Sequence, residues 1–177
     1  MQTKTLKPSD VTFVIDTREQ CPFDLSPFPT EISTLVTGDY SIKGFESEVS
    51  IERKSLDDLC GVVGGSRERF EKEIKRLLAY PHRCLIIETS WEEIKQGHYR
   101  SQVNPESVFG SLIGWQAEGI PVIMAGTHTF GSECAKRFLW ITARRYWKKF
   151  QQGFDGYLKN FCATMNGEEN TEKQGLT

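Results

Sequence analysis

The sequence is poor in the features that mark a secreted, zinc-stapled or membrane protein. Cys21, Cys60, Cys84, Cys134 and Cys162 are odd in number and scattered, with no CxxC pair. That excludes a regular disulfide framework, and His82, His98 and His128 fall at no zinc-like spacing from them. Reduced, buried cysteines are the expectation. No stretch approaches the ~18 consecutive apolar residues of a membrane span. The opening MQTKTLKPSD has no apolar signal core, so a soluble, intracellular protein is expected, not secreted and with no membrane partner. Positive charge is not in excess either: 24 acidic against 22 basic residues leave a net charge of −2. A chain-wide cationic field is thereby excluded, and any polyanion would have to be held by a local patch. There is no internal repeat and no low-complexity linker. At 177 residues and 38% hydrophobic content, one well-filled core is expected rather than two.

What is present is an alternation of strand-like and helix-like segments. VTFVID (11–16) is a β-branched, apolar run ending in an acid, which suits a buried strand whose last residue emerges at an edge or cleft. A loop punctuated by Pro22, Pro27 and Pro29 follows. ISTLV (32–36), YSI (40–42) and EVSIER (48–53), with Gly38 and Gly44 between them, predict an antiparallel meander. From Ser55 the period becomes helical through Leu56, Leu59 and Cys60. After VVGGS, RERFEKEIKRLLAY (67–80) puts Phe70, Ile74, Leu77 and Leu78 on one face, with Ser66 in the N-cap position. RCLIIET (83–89) and PVIMAG (121–126) predict buried strands. WEEIKQG, PESVFGSLIGWQAEG (105–119) and a long amphipathic SECAKRFLWITARRYWKKF (132–150) predict helices. Residues 151–177 turn polar and predict a flexible tail after a domain of 1–150. The expected class is α/β, a mixed β-sheet flanked by helices.

The chemistry gathers around SIERKSLDD (50–58). A hairpin joining GDY (38–40) to VSIERK would bring Asp39 close to Glu52 and Lys54. Glu52 and Lys54 share one face of their strand because side chains alternate with period two, and Arg53 points the other way. Two carboxylates and a lysine on one face can hold Mg²⁺ or Mn²⁺ through hard oxygen ligands and orient a water beside a phosphate. Asp16, ending the first strand, offers a further carboxylate. A solvated ladder of salt bridges at a hairpin end explains the same charges equally well.

The combination of GDY, IERKSLDDL and RERFEKEIKRL, with VIDTREQ upstream, resembles the nuclease domain of the XPF (ERCC) family of structure-specific endonucleases. That family's signature is GD followed at a distance by ERKxxxD, here Gly38, Asp39, Glu52, Arg53, Lys54 and Asp58. The resemblance runs from about Val11 to near Phe150. It implies a restriction-nuclease-like, PD-(D/E)xK core in which Asp39 and Glu52 bind Mg²⁺ (or Mn²⁺), helped by the Arg53 backbone carbonyl. Lys54 would serve the attacking water, with Asp16, Arg18, Glu19 and Asp58 in support and Arg18 also binding DNA. It further implies a metal-dependent DNA endonuclease acting on branched or flapped DNA in repair or recombination, in the cytoplasm, nucleoid or nucleus. A non-catalytic DNA-binding scaffold or partner subunit, and a nuclease of unbranched DNA, are the alternatives. Family members usually carry a tandem helix-hairpin-helix module after this domain, and the residues following Phe150 are too few and too polar for one.

Two other groups invite a functional reading. Arg67 and Arg69, at a Gly-rich entrance to the second helix, are candidates for DNA phosphate contacts, and Lys72, Lys75 and Arg76 follow them. Their plain alternative is an exposed face paired with Glu68, Glu71 and Glu73. Trp140, Tyr146, Trp147 and Phe150, interleaved with Arg144, Arg145, Lys148 and Lys149, form either a stacking platform or, as aromatic stripes more often do, a core or interface face. A homodimer or heterodimer through this C-terminal helix is expected.

Overall fold

The computed structural model describes residues 5–97 and 99–158 with their side chains and 159–173 as backbone. Lys7–Ile141 make one compact unit, and the chain from Thr142 onward belongs to a second.

The first unit is built on a six-stranded mixed sheet of order β2-β1-β3-β4-β5-β6. Its strands are β1 (Phe13–Asp16), β2 (Thr30–Ser33), β3 (Tyr40–Ile42), β4 (Val49–Ser55), β5 (His82–Glu88) and β6 (Val122–Met124). β1 and β3 are buried along their whole length. Such strands read as continuous apolar runs because both faces of the sheet are covered. One face carries α1 (Leu56–Gly64), α2 (Arg67–Leu78), α3 (Trp91–Gln96) and α4 (Pro105–Ala117). Leu85 and Ile87 of β5 pack there with Leu59, Phe70, Ile74, Leu112 and Trp115. Ile86, between them in sequence, faces the other side towards Gly131 of α5 (His128–Lys173), as period-two alternation demands. The loop after β1 closes that second face: Phe28 stacks on Phe13 at 4.4 Å between ring centroids and meets Trp140 at 5.3 Å.

The antiparallel hairpin of β3 and β4 forms as expected, with Tyr40 opposite Ile51. The first segment of the expected meander does not join it. β2 lies instead at the sheet edge, parallel to β1, with Phe13 opposite Thr30 and Asp16 opposite Ser33. The proline-punctuated loop carries the chain back to the start of β1, and β1 itself takes the place beside β3. Residues 34–38 become a connector in which side chains meet backbone groups of Leu35 and Thr37. Leu35 N–H donates to Asp16 Oδ2 at 2.6 Å, and Ser50 Oγ donates to Thr37 O at 3.0 Å.

One helix cap and the bounds of the last helix also differ from the sequence reading. Ser66 stands at the N-cap of α2, but its hydroxyl donates to Gly61 O at 3.4 Å and caps nothing in its own helix. Serine caps form instead at α1, where Ser55 Oγ accepts the Asp58 N–H at 3.1 Å, and at α3, where Ser90 Oγ accepts the Glu93 N–H at 3.1 Å. α5 begins at His128 and is helical through Lys173, past Phe150. The polar segment expected to fray is therefore helical over 151–173, and residues 174–177 lie outside the described residues. In the second unit, Trp147, Phe150 and Phe154 form a run of stacked rings, and Lys149 Nζ lies 6.0 Å from the Tyr146 ring. Among the described residues, no helix is long and apolar enough to cross a membrane. Cys21, Cys60, Cys84 and Cys134 are free thiols. The side chain of Cys162 and all of His98 lie outside the described residues.

Candidate active site

Two neighbouring strands deliver the acids. Gly38 adopts a φ of 79° at the entry to β3, a left-handed conformation that glycine takes without a Cβ penalty. The turn lets Asp39 N–H donate to Ile51 O at 2.7 Å while Asp39 O accepts the Asp16 N–H at 2.8 Å. Asp39 is thus pinned between β1 and β4, and its Oδ2 accepts the Arg53 N–H at 2.7 Å. On β4, Glu52 is buried, and Lys54 Nζ donates to Glu52 Oε1 at 2.5 Å. The same ammonium sits 4.9 Å from the Phe70 ring, so α2 closes that side.

Crowding these groups has an electrostatic cost. Burial pushes the Asp39 carboxyl up to about 8, and the neighbouring Glu52 charge adds to the rise. The Arg53 N–H and Lys54 oppose it without cancelling it. Glu52 is raised in the same way, first by burial, with Lys54 pulling back. For Lys54, burial disfavours the ammonium, but Glu52 and then Asp39 and Glu73 outweigh it and leave the pKa above its ordinary value. Two acids that resist ionising together and a lysine held charged beside them form a site primed for a cation.

The cleft holding Asp39, Glu52 and Lys54 is also lined by Arg18, Arg69, Glu73 and Arg76. Arg18 and Arg69 thus line the same cleft as the two acids. Asp58 does not share this cleft. It receives the Ser55 hydroxyl at 2.7 Å and lines an adjoining hollow that shares Lys54, Arg69 and Glu73. Arg67 lines a further hollow with Gly64, Gly65, Arg69 and Lys72 and donates to Ser111 Oγ at 3.1 Å.

Asp16 lies behind the cleft with its carboxylate committed. Oδ1 accepts Arg18 N–H at 2.9 Å and Arg18 Nε at 2.6 Å, and Oδ2 accepts Leu35 N–H and Arg18 Nη2. Burial alone would raise its pKa, yet these bonds hold it below the ordinary carboxylate value. In this arrangement Asp16 aims Arg18 into the cleft and anchors the connector 34–38. Arg53 points away from Glu52 and Lys54, as alternation predicts. Its guanidinium makes a bidentate pair with Glu88 at 2.6 and 3.0 Å and reaches Glu19 at 3.3 Å. Glu88 in turn meets His128 Nδ1 at 2.7 Å, so His128, which shows no partner in the sequence, has one in the fold.

Sequence reasoning put Arg76 in a basic run that could meet phosphates near the site, but missed Glu73 as a cleft residue. The signal was available, since Arg69, Glu73 and Arg76 follow at i, i+4 and i+7 beside the buried stripe of Phe70, Ile74 and Leu77. The charges around them suited a solvated face equally well.

The donor set fits a hard divalent cation. Among the described residues, no group of three Asp, Glu, His or Cys side chains is close enough to hold a metal together. A buried and a half-buried carboxylate suit Mg²⁺, which keeps several waters and takes one or two protein carboxylates. Asp39 and Glu52 would hold it.

The ERCC4 domain family model matches residues 8–137. Comparison with curated proteins returns no match. Among solved structures, XPF from Aeropyrum pernix in complex with DNA is similar at 17% identity and a TM-score of 0.62, covering 76% of this chain and 66% of that one. XPF from Aeropyrum pernix without that description of DNA matches at 17% identity and a TM-score of 0.61, covering 74% and 61%. The chain thus spans no more than about two thirds of the length of these relatives. The structural likeness supports the restriction-nuclease-like α/β fold, the family model covers most of the sheet-bearing unit, and on these findings the chain belongs to the ERCC4 domain family.

Proposed function

We propose that this chain is a divalent-metal-dependent DNA endonuclease that cuts branched or flapped duplexes in repair or recombination, working inside the cell with Mg²⁺ or Mn²⁺. The observation that carries the reading is the pairing of Asp39 and Glu52, two acids whose pKa burial raises, Asp39 further through the Glu52 charge, with the Lys54 ammonium 2.5 Å from Glu52. A bound cation would supply charge neutralisation at the phosphate and acidify a water. Asp39 and Glu52 would hold it, while Lys54 donates to the attacking water or to the oxygen on which charge develops. Arg18 and Arg69 would grip the flanking phosphates, and Arg67, beyond the rim, would extend the path of the strand. Membership of the ERCC4 family and the likeness to an XPF solved with DNA support the substrate class.

The test is cleavage of flap, fork and linear duplexes with Mg²⁺ or Mn²⁺ by wild type and Asp39→Asn. Wild-type cutting that the variant lacks is expected. No cutting of any substrate, or equal cutting by both, refutes the reading. Preference for the linear duplex would instead make this a nuclease of unbranched DNA.

We extend the proposal to a dimer, of two copies or of one copy with a related chain, joined through the C-terminal helix. Its support is the exposed stripe of Phe150, Phe154 and Tyr157 at i, i+4 and i+7. A strictly monomeric species in sedimentation at tens of micromolar, on the order of weak-association limits, eliminates the homodimer.

A further inference from the structure

α2 turns a second stripe towards the carboxylates, one position around from its buried one. Arg69, Glu73 and Arg76 line the cleft with Asp39, Glu52 and Lys54. Glu73 is half-buried, its side chain 28% exposed, and Arg76 Nη2 lies 3.6 Å from its Oε1, beyond hydrogen-bond range. Its charge is nonetheless felt in the site, where it raises Glu52 after burial and the Lys54 contributions, and raises Lys54 after Glu52 and Asp39. Glu73 is not close enough to join the two acids as a direct ligand, since no triple of ligating side chains is assembled among the described residues.

A cation held by two carboxylates keeps waters, and metal-bound waters are strong hydrogen-bond donors that need acceptors. Most of the cleft's charged lining cannot accept: Arg18, Lys54, Arg69 and Arg76 carry donors only. Glu73 is the remaining anion of that lining. Thr37 adds a hydroxyl from the opposite wall, and its Oγ1 is buried without a hydrogen-bond partner.

We infer that Glu73 is an outer-sphere ligand of the metal centre, its carboxylate accepting hydrogen bonds from water on the cation. This rests on the metal-dependent reading of Asp39 and Glu52. It assigns α2 a role beyond phosphate contact: helix and strand acids meet across the cation, one through water and two directly.

Calorimetric titration with Mn²⁺ and water-proton relaxation of the bound ion test it, on wild type, Glu73→Gln, Glu73→Asp, Asp39→Asn and, as a control for lost charge on the same helix, Glu68→Gln. Glu73→Gln is expected to weaken Mn²⁺ binding by about tenfold, the usual cost of losing a second-shell partner, with the number of waters on the ion unchanged. Glu73→Asp should fall between it and wild type, and Glu68→Gln should match wild type. Binding by Glu73→Gln equal to wild type overturns the inference alone. Loss as complete as in Asp39→Asn, or one extra water on the ion, also overturns it by making Glu73 a direct ligand. Absence of Mn²⁺ binding by wild type removes the metal-dependent reading itself. Thermal melts of each variant show whether a lost fold, rather than a lost ligand, lies behind any change.

Discussion

Replacing Gly38 by alanine would strike the site through its backbone alone. A Cβ built on Gly38 falls 2.2 Å from Ser50 Oγ and 2.8 Å from Ile51 O, in a residue with φ of 79°. Left-handed backbone costs an L-residue about 1–2 kcal/mol. Ser50 Oγ can rotate away only by giving up its bond to Thr37 O, 3.0 Å long and buried, at about 1 kcal/mol. Ile51 O cannot yield so simply, because it accepts the Asp39 N–H at 2.7 Å inside the β3–β4 pairing. The remaining clash must shift residues 37–39, so the total falls at about 3–5 kcal/mol, in the range reserved for strain at a special φ/ψ. Because Asp39 moves with its neighbour, metal affinity and cleavage should fall together with stability. Urea unfolding and Mn²⁺ calorimetry measure the two. Ser50→Ala added to Gly38→Ala removes the 2.2 Å contact and leaves the one to Ile51 O, so it should recover part of the stability and little of the affinity. Gly38→Ala within about 1 kcal/mol of wild type, with unaltered Mn²⁺ binding, would refute the reasoning.

Other perturbations separate the remaining roles. In metal-free protein the folded Asp39 pKa of about 8 lies above the ordinary 3.8, so the folded state holds a proton the unfolded chain has released. Stability should therefore fall as pH rises between those values and then level off; Asp39→Asn should flatten that part of the slope in urea melts run across pH, and saturating Mg²⁺ should oppose the fall. Lys54→Ala should abolish turnover while leaving Mn²⁺ binding nearly intact, because an ammonium is no ligand for a cation, and equal loss of both would show the lysine misassigned. Arg53→Met would leave the Glu19 and Glu88 carboxylates, 5% and 10% exposed in their side chains, without their shared cation, at about 3–5 kcal/mol by urea unfolding. Adding Glu88→Gln should recover part of that. Asp16→Asn removes the charge that organises Arg18 and the Leu35 N–H, and should cost about 2 kcal/mol and lessen the salt dependence of DNA binding measured by fluorescence anisotropy.

Residues that act within one element were legible in the sequence. Period-two alternation put Glu52 and Lys54 on one side of β4 and Arg53 on the other, and their side-chain pairings agree with it. The helical period found the buried stripe of α2, and glycine beside Asp39 marked the turn that a Cβ would obstruct. Local spacing encodes direction because each side chain leaves the backbone at an angle set by the element's own repeat. Partners across the fold were not legible. That β2 lies parallel to β1 at an edge, that Arg53 finds Glu88 and Glu19, that Glu88 finds His128, and that Glu73 shares a cleft with Asp39 all depend on strand order and helix placement. Those are settled by burying apolar faces over long sequence separations, where a charge is free to sit in solvent until the packing encloses it and requires a counterpart. The sequence by itself thus determined which side of each strand or helix the charged groups leave. The hairpin already set Asp39 beside Glu52 and Lys54, and tertiary structure decided which further groups meet them and how far burial displaces the pKa values on which the proposed metal chemistry depends.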